Sequence, residues 1–263
     1  MQLKDTIIIE PVSGVPEGRL SIIPKDLRVR YSPFRMNELI EDERRKLVGS
    51  LEDWLHMSTI DTFGFDADTL LIKLLEFRLP EQNIDLPQLS EWLIHAKKCS
   101  GIPKLVSDTI NFEILPFDYR CFDMDEQLLI CFSDSLIQKG ITIEWKMTPN
   151  LSLFFNEESY CAWGVYQPEM YLTDSIYDSL KTENSSEFLQ HSFKKTLDLI
   201  TLENVDKMEV EDKETLFQLA DLFQKMKNES ISNPNYKLDV LCRWITDVAD
   251  RFYPEELIQR YFS

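Results

Sequence analysis

Three residues in a row, Glu144-Trp145-Lys146, stand ten positions after Asp134. Nucleases that cut with two carboxylates and a lysine bring an Asp and a Glu-x-Lys together on adjacent strands. The carboxylates hold a divalent metal and the lysine sits near the attacking water. Here Asp134 falls inside a segment that reads as helix, which departs from that pattern, and Asp123 is the substitute. The triplet also has a simpler reading. On a strand, Glu144 and Lys146 share one face and support each other as an ion pair, worth under about 1 kcal/mol. Asp123-x-Asp125-Glu126 gathers oxygens that suit a hard cation, but Leu128 occupies the place where a calcium loop needs glycine. Acids at a helix start are accounted for by capping and the helix dipole.

Other chemistries lack their motifs. His56, His95 and His191 stand far apart, and the cysteines never form Cys-x-x-Cys, so no metal site is predicted. The seven glycines form no phosphate-cradling loop, and Pro16 and Glu17 spoil the Gly14–Gly18 stretch for a phosphate. There is no Gly-x-Ser-x-Gly elbow. No cofactor is expected.

Charge points elsewhere. The chain carries 28 Lys/Arg against 46 Asp/Glu, a net of −18. The first fifty residues hold nine bases and eight acids, so the remainder carries −19. Such a field repels phosphate backbones and anionic lipid, and it attracts basic proteins. The densest acids are Glu203, Asp206, Glu209, Glu211, Asp212 and Glu214, with only Lys207 and Lys213 between them. Glu209, Glu211, Asp212 and Glu214 are therefore the candidate contacts to a basic partner. Phe252, Tyr261 and Phe262 make the chain end aromatic; they dock either on the helical third or on another chain. The basic residues Arg19, Lys25, Arg28, Arg30 and Arg35, interleaved with Tyr31 and Phe34, pair most simply with carboxylates of the same molecule.

These residues need elements to position them. Thr6–Ile9, Arg19–Ile23 and Leu27–Tyr31, punctuated by Pro and Gly, read as a small antiparallel sheet. Ser32-Pro33 then reads as the start of a helix over 33–57. Further helices are expected over 68–79, where apolar residues run nearly all round, and over 86–99, ending near Gly101. Alternation predicts a strand over 109–115, and a helical stripe covers 125–138, stopped by Gly140. Segments 141–147, 151–155 and 160–166 read as a β-meander. Helices follow at 174–181, 186–200, 211–228, 236–252 and 254–262, with 203–214 left as a loop and helix start.

The expected fold class is α+β: an N-terminal antiparallel β-rich piece, a central β-meander and a helical C-terminal third. Its regions are 1–104, 105–183 and 184–263, or one continuous domain. No apolar run approaches the roughly 20 residues a membrane span needs, and no secretory signal opens the chain. Five scattered cysteines predict reduced thiols and a cytoplasmic location. Together these features predict a non-enzymatic acidic interaction protein, an inhibitor, immunity-type protein or accessory subunit, that binds a basic protein partner or enters a larger complex. A metal-dependent nuclease using Asp134, Glu144 and Lys146 is the alternative.

Overall fold

The computed structural model describes residues 1–4, 6–14, 18–32, 46–51, 60–175 and 184–262. The expected N-terminal strands are present. β1 (Gln2–Lys4) and β2 (Ile7–Val12) pair antiparallel, and β2 buries Ile7 and Ile9 while Ile8 faces out. β3 (Arg19–Ile23) turns through a short 3-10 segment at Pro24–Asp26 into β4 (Arg28–Ser32). With β5 (Leu47–Ser50), β6 (Thr62–Asp66) and β7 (Ile72–Arg78) they form an antiparallel five-stranded sheet, ordered β3-β4-β7-β6-β5.

Two expected helices are corrected here. Leu47–Ser50, inside the expected helix 33–57, is strand β5; residues 33–45 and 52–59 lie outside those described. The expected helix 68–79 is a turn followed by β7. The cause is burial on both faces: β7 lies between β4 and β6, and Ile72, Leu74, Leu75 and Phe77 are all buried. A strand covered on both sides has no reason to alternate, so its apolar run imitates a buried helix.

The second sheet has ten strands: β8 (Gln82–Asn83), β9 (Lys97–Ser100), β10 (Ile102–Leu105), β11 (Tyr119–Asp123), β12 (Leu128–Phe132), β13 (Ile143–Lys146), β14 (Leu151–Asn156) and β15 (Ser159–Tyr166), with β1 and β2. The meander β13-β14-β15 is where the sequence places it. Pairing runs from β15 through β14 and β13 to β9, then across Gly101 into β10, β2 and β1, and so back to β15. The sheet thus closes on itself through one glycine. Gly101 has φ +131°, and a Cβ there would stand 2.5 Å from the Val12 carbonyl oxygen. Gly101 is therefore the corner of this ring and not the end of a helix. The expected helix 86–99 shortens to α1 (Leu89–His95), because Lys97 onward joins β13.

The expected helix 125–138 is likewise corrected. It divides into β12, every residue of which is buried between β11 and β15, and α2 (Asp134–Lys139). Gly140 does end that helix, at φ +71°. The expected strand 109–115 has only isolated bridges, Asn111 with Gly49 and Ile114 with Asp61.

The C-terminal third is helical: α3 (Glu187–Leu199), α4 (Leu202–Glu209), α5 (Lys213–Ser232), α6 (Tyr236–Phe252) and α7 (Glu255–Tyr261). Most of the expected helix 174–181 lies outside the described residues. Ser186, Thr201, Asp212 and Asn235 accept backbone N–H bonds at the starts of α3 to α6, as N-caps do. In α6, Leu238, Leu241, Trp244, Ile245, Val248 and Ala249 form the buried stripe. The fold is α+β. None of the described helices is long and apolar enough to cross a membrane.

One hydrophobic core runs between the two sheets and on into the helical third. Phe77 of the small sheet stacks on Trp163 of the large one, centroids 4.9 Å apart, and Phe63 meets Tyr160 edge-on at 5.6 Å. Phe122 against Phe193 of α3 carries the core into the helices. A smaller core under α1 and α2 covers the opposite face of the large sheet.

Candidate functional site

The acidic segment takes a form its sequence did not declare. Residues 202–209 are a helix, α4, where a loop is expected; Leu202, Val205 and Met208 recur at helical spacing behind the Thr201 cap, which is the signal that marks it. α4 ends at Val210 and Glu211, and Glu211 takes a left-handed φ of +55° normally left to glycine. Asp212 then caps α5, accepting the Thr215 N–H at 2.7 Å and the Thr215 hydroxyl at 2.8 Å. These bonds hold the Asp212 carboxyl below the usual carboxylate range.

This elbow exposes Glu209, Glu211 and Glu214, with Asp212 half-buried. Glu203 is paired with Lys207 at 2.7 Å, a bond that lowers the pKa of the acid and raises that of the lysine. Val210 is 78% exposed and Phe217, one turn into α5, is 50% exposed. Two apolar side chains therefore stand open on a segment lined by acids.

The aromatic chain end supports this surface from behind. The Tyr261 ring meets Phe217 edge-on at 5.4 Å, Phe262 meets Phe223 at 5.2 Å, and Gln224 donates to the Tyr261 carbonyl at 3.0 Å. Tyr253 donates its hydroxyl to the Asp212 carbonyl at 2.7 Å. Phe262 is buried, and Phe252 and Tyr261 are half-buried. Of the aromatic residues proposed for a partner, Tyr261 is the one placed beside the acidic elbow.

Glu144 occupies a different setting from an open metal ligand. It lies on β13 with no exposed surface. Lys98, directly opposite on β9, donates to one carboxylate oxygen and also to the Leu93 carbonyl. The other oxygen accepts from Ser152 and from Tyr166, each at 2.9 Å. Burial raises the pKa of Glu144, but these hydrogen bonds outweigh it and hold the carboxyl below its ordinary value. Lys146 is the weaker partner, at 3.9 Å from the carboxylate and 4.9 Å over the Tyr166 ring. Lys98, Ser152 and Tyr166 could be found only by knowing the strand register, since they lie 46, 8 and 22 residues away.

Asp134 opens α2 and hydrogen-bonds Tyr119, raising that phenol. It is not among the partners of Glu144. Asp123 accepts the Glu126 N–H in the turn before β12. Among the described residues, no three His, Cys, Asp or Glu side chains converge as a metal site would require. The five cysteines are free thiols. The chain matches no family model, no curated protein and no solved structure.

Proposed function

We propose that this chain is a non-enzymatic interaction protein, an inhibitor, immunity-type protein or accessory subunit, that binds a basic protein partner through the α4–α5 elbow. The observation carrying this reading is the pairing of exposed Val210 and Phe217 with Glu209, Glu211 and Glu214 on one short, capped and aromatic-backed unit. Interfaces draw their affinity from a desolvated apolar centre and their partner choice from a charged rim. An elbow with both parts suits a partner that presents an apolar residue among lysines or arginines. The free thiols fit a reducing, cytoplasmic setting. The nuclease arrangement gains no support from the geometry, because both oxygens of Glu144 are already hydrogen-bonded within the protein.

The test is a pull-down at low salt with two altered proteins beside the wild type. One carries Glu209→Gln, Glu211→Gln and Glu214→Gln, leaving the Asp212 cap in place. The other carries Val210→Ser and Phe217→Ser. A basic protein retained by the wild type and lost from both variants is the expected result. A partner retained equally by all three would remove the elbow from the interface.

A further inference from the structure

Where the two sheets meet, four aromatic rings interlock. Phe63 of β6 meets Phe77 of β7 edge-on at 5.5 Å, Phe77 stacks on Trp163 of β15 at 4.9 Å, and Phe63 meets Tyr160 of β15 at 5.6 Å. Asp61, just before β6, belongs to the same layer. The antiparallel register pairs Phe63 with Leu75 and Thr62 with Glu76, and one further step sets Asp61 opposite Phe77. Residues directly opposite share a face of the sheet, so the Asp61 carboxyl turns towards the large sheet beside the Phe77 ring. Its Oδ1 accepts the N–H of Arg78, the residue after Phe77, at 2.8 Å. Ile114 closes the outer edge, its carbonyl accepting the Asp61 N–H at 2.7 Å, and Phe117 tilts against Tyr160 at 5.0 Å.

Polar atoms in this layer are left over. Asp61 and Trp163 have no exposed surface, and Tyr160 buries its hydroxyl. Asp61 Oδ2, the Tyr160 hydroxyl and the Trp163 indole N–H each lack a hydrogen-bond partner in the protein. Cys131, the register partner of Trp163 on β12, adds a buried free thiol to the same face. Thr62 Oγ1 is unpartnered too, but Thr62 lies opposite Glu76 and so on the other face. Buried polar groups are as a rule hydrogen-bonded, so three orphans around one pair of rings require a ligand.

The chemistry of the set selects that ligand. The indole N–H and the phenol hydroxyl donate, which turns away a cation, and the carboxyl turns away an anion. Among the described residues, no three His, Cys, Asp or Glu side chains converge to hold a metal. An apolar guest would leave all three atoms unmet. Water both donates and accepts, and a buried water makes about three hydrogen bonds to groups that have no other partner. We propose that the contact between the sheets contains a buried hydration site, in which ordered water links Asp61 Oδ2 on the small-sheet side to the Tyr160 hydroxyl and the Trp163 indole N–H of the large sheet. Apolar packing is non-directional; bonded water adds the direction that fixes one sheet on the other.

A crystal structure of the wild-type protein at a resolution that shows ordered water tests this. Water density is expected within about 2.7–3.2 Å of Asp61 Oδ2, the Tyr160 hydroxyl and the Trp163 indole nitrogen. Oxygen-17 relaxation of the solvent, which counts long-lived internal water, tests it in solution. Tyr160→Phe keeps the ring contacts and removes one partner, so it should show a loss of long-lived water relative to the wild type. Empty density at the three atoms, a direct bond between Asp61 and Tyr160 in place of water, or an equal count of long-lived water in both proteins overturns the proposal.

Discussion

Arg120 joins the sheets to the helical third, and replacing it with Met measures that joint. It lies on β11, is 1% exposed, and donates to the Asn83 side chain at 2.6 Å and to the carbonyls of Leu197 and Ile200 at 2.6 and 2.5 Å. Those carbonyls end α3, where the helix dipole favours a cation. Burial pushes the Arg120 pKa down to about 10 from 12.5, so keeping the charge inside costs about 3 kcal/mol. Hydrogen bonds from a charged donor return about 1.5–3 kcal/mol each, so three of them exceed that cost. Met fills similar length but takes the Arg120 donor from the Ile200 carbonyl and from the Asn83 side-chain oxygen, at about 1–3 kcal/mol each, while the Leu197 carbonyl keeps the Asn83 amide at 3.2 Å. The expected net loss for Arg120→Met is about 3 kcal/mol in urea unfolding at pH 7, with the slope unchanged. A loss below about 1 kcal/mol would show that Arg120 is not what holds the joint.

Gly101→Ala should cost more than about 2 kcal/mol in the same assay, since it adds a left-handed strain to a clash with the Val12 carbonyl; a near-neutral change would refute the ring's dependence on this corner. Glu144→Ala should cost about 2–4 kcal/mol, because it strands the Ser152 and Tyr166 hydroxyls, whereas Lys146→Ala should cost under about 1 kcal/mol. If the wild type cleaves DNA or RNA with Mg²⁺ and both variants lose that cleavage while still folded, Glu144 and Lys146 are catalytic and the binding account fails.

The sequence marked the parts of the fold that are amphipathic. The helices at 186–200 and 236–252 each keep one wet face, so period and burial agree; the meander was legible as short runs, although β14 is buried along its whole length. The pattern failed at two other elements covered on both sides. Ile72–Arg78 and Leu128–Phe132 are central strands without alternation, and each was read as helix. It failed again at Lys97–Ser100, where a distant strand, β13, claims the chain just past a short helix. The site divides the same way. Acid density at 203–214 is visible in composition, but exposure of Val210 and Phe217 depends on how α4 and α5 dock. Glu144 was visible as a motif, while Lys98, its main partner, is set by a parallel register no local pattern encodes. The expected pair with Lys146 is therefore the lesser contact, and the modest stability cost expected for Glu144 is revised upward.

The most direct test of the binding account is the association rate of the captured partner, measured from low to moderate ionic strength. Steering by opposite charge raises such rates by roughly 10- to 1,000-fold at low salt and fades as ions screen it. Wild type should associate fast at low salt and slow steeply as salt rises. The variant with Glu209, Glu211 and Glu214 changed to Gln should start slower and depend less on salt, with its melting temperature nearly unchanged. A partner that binds equally fast at all salt concentrations, or that is itself acidic, would contradict the account.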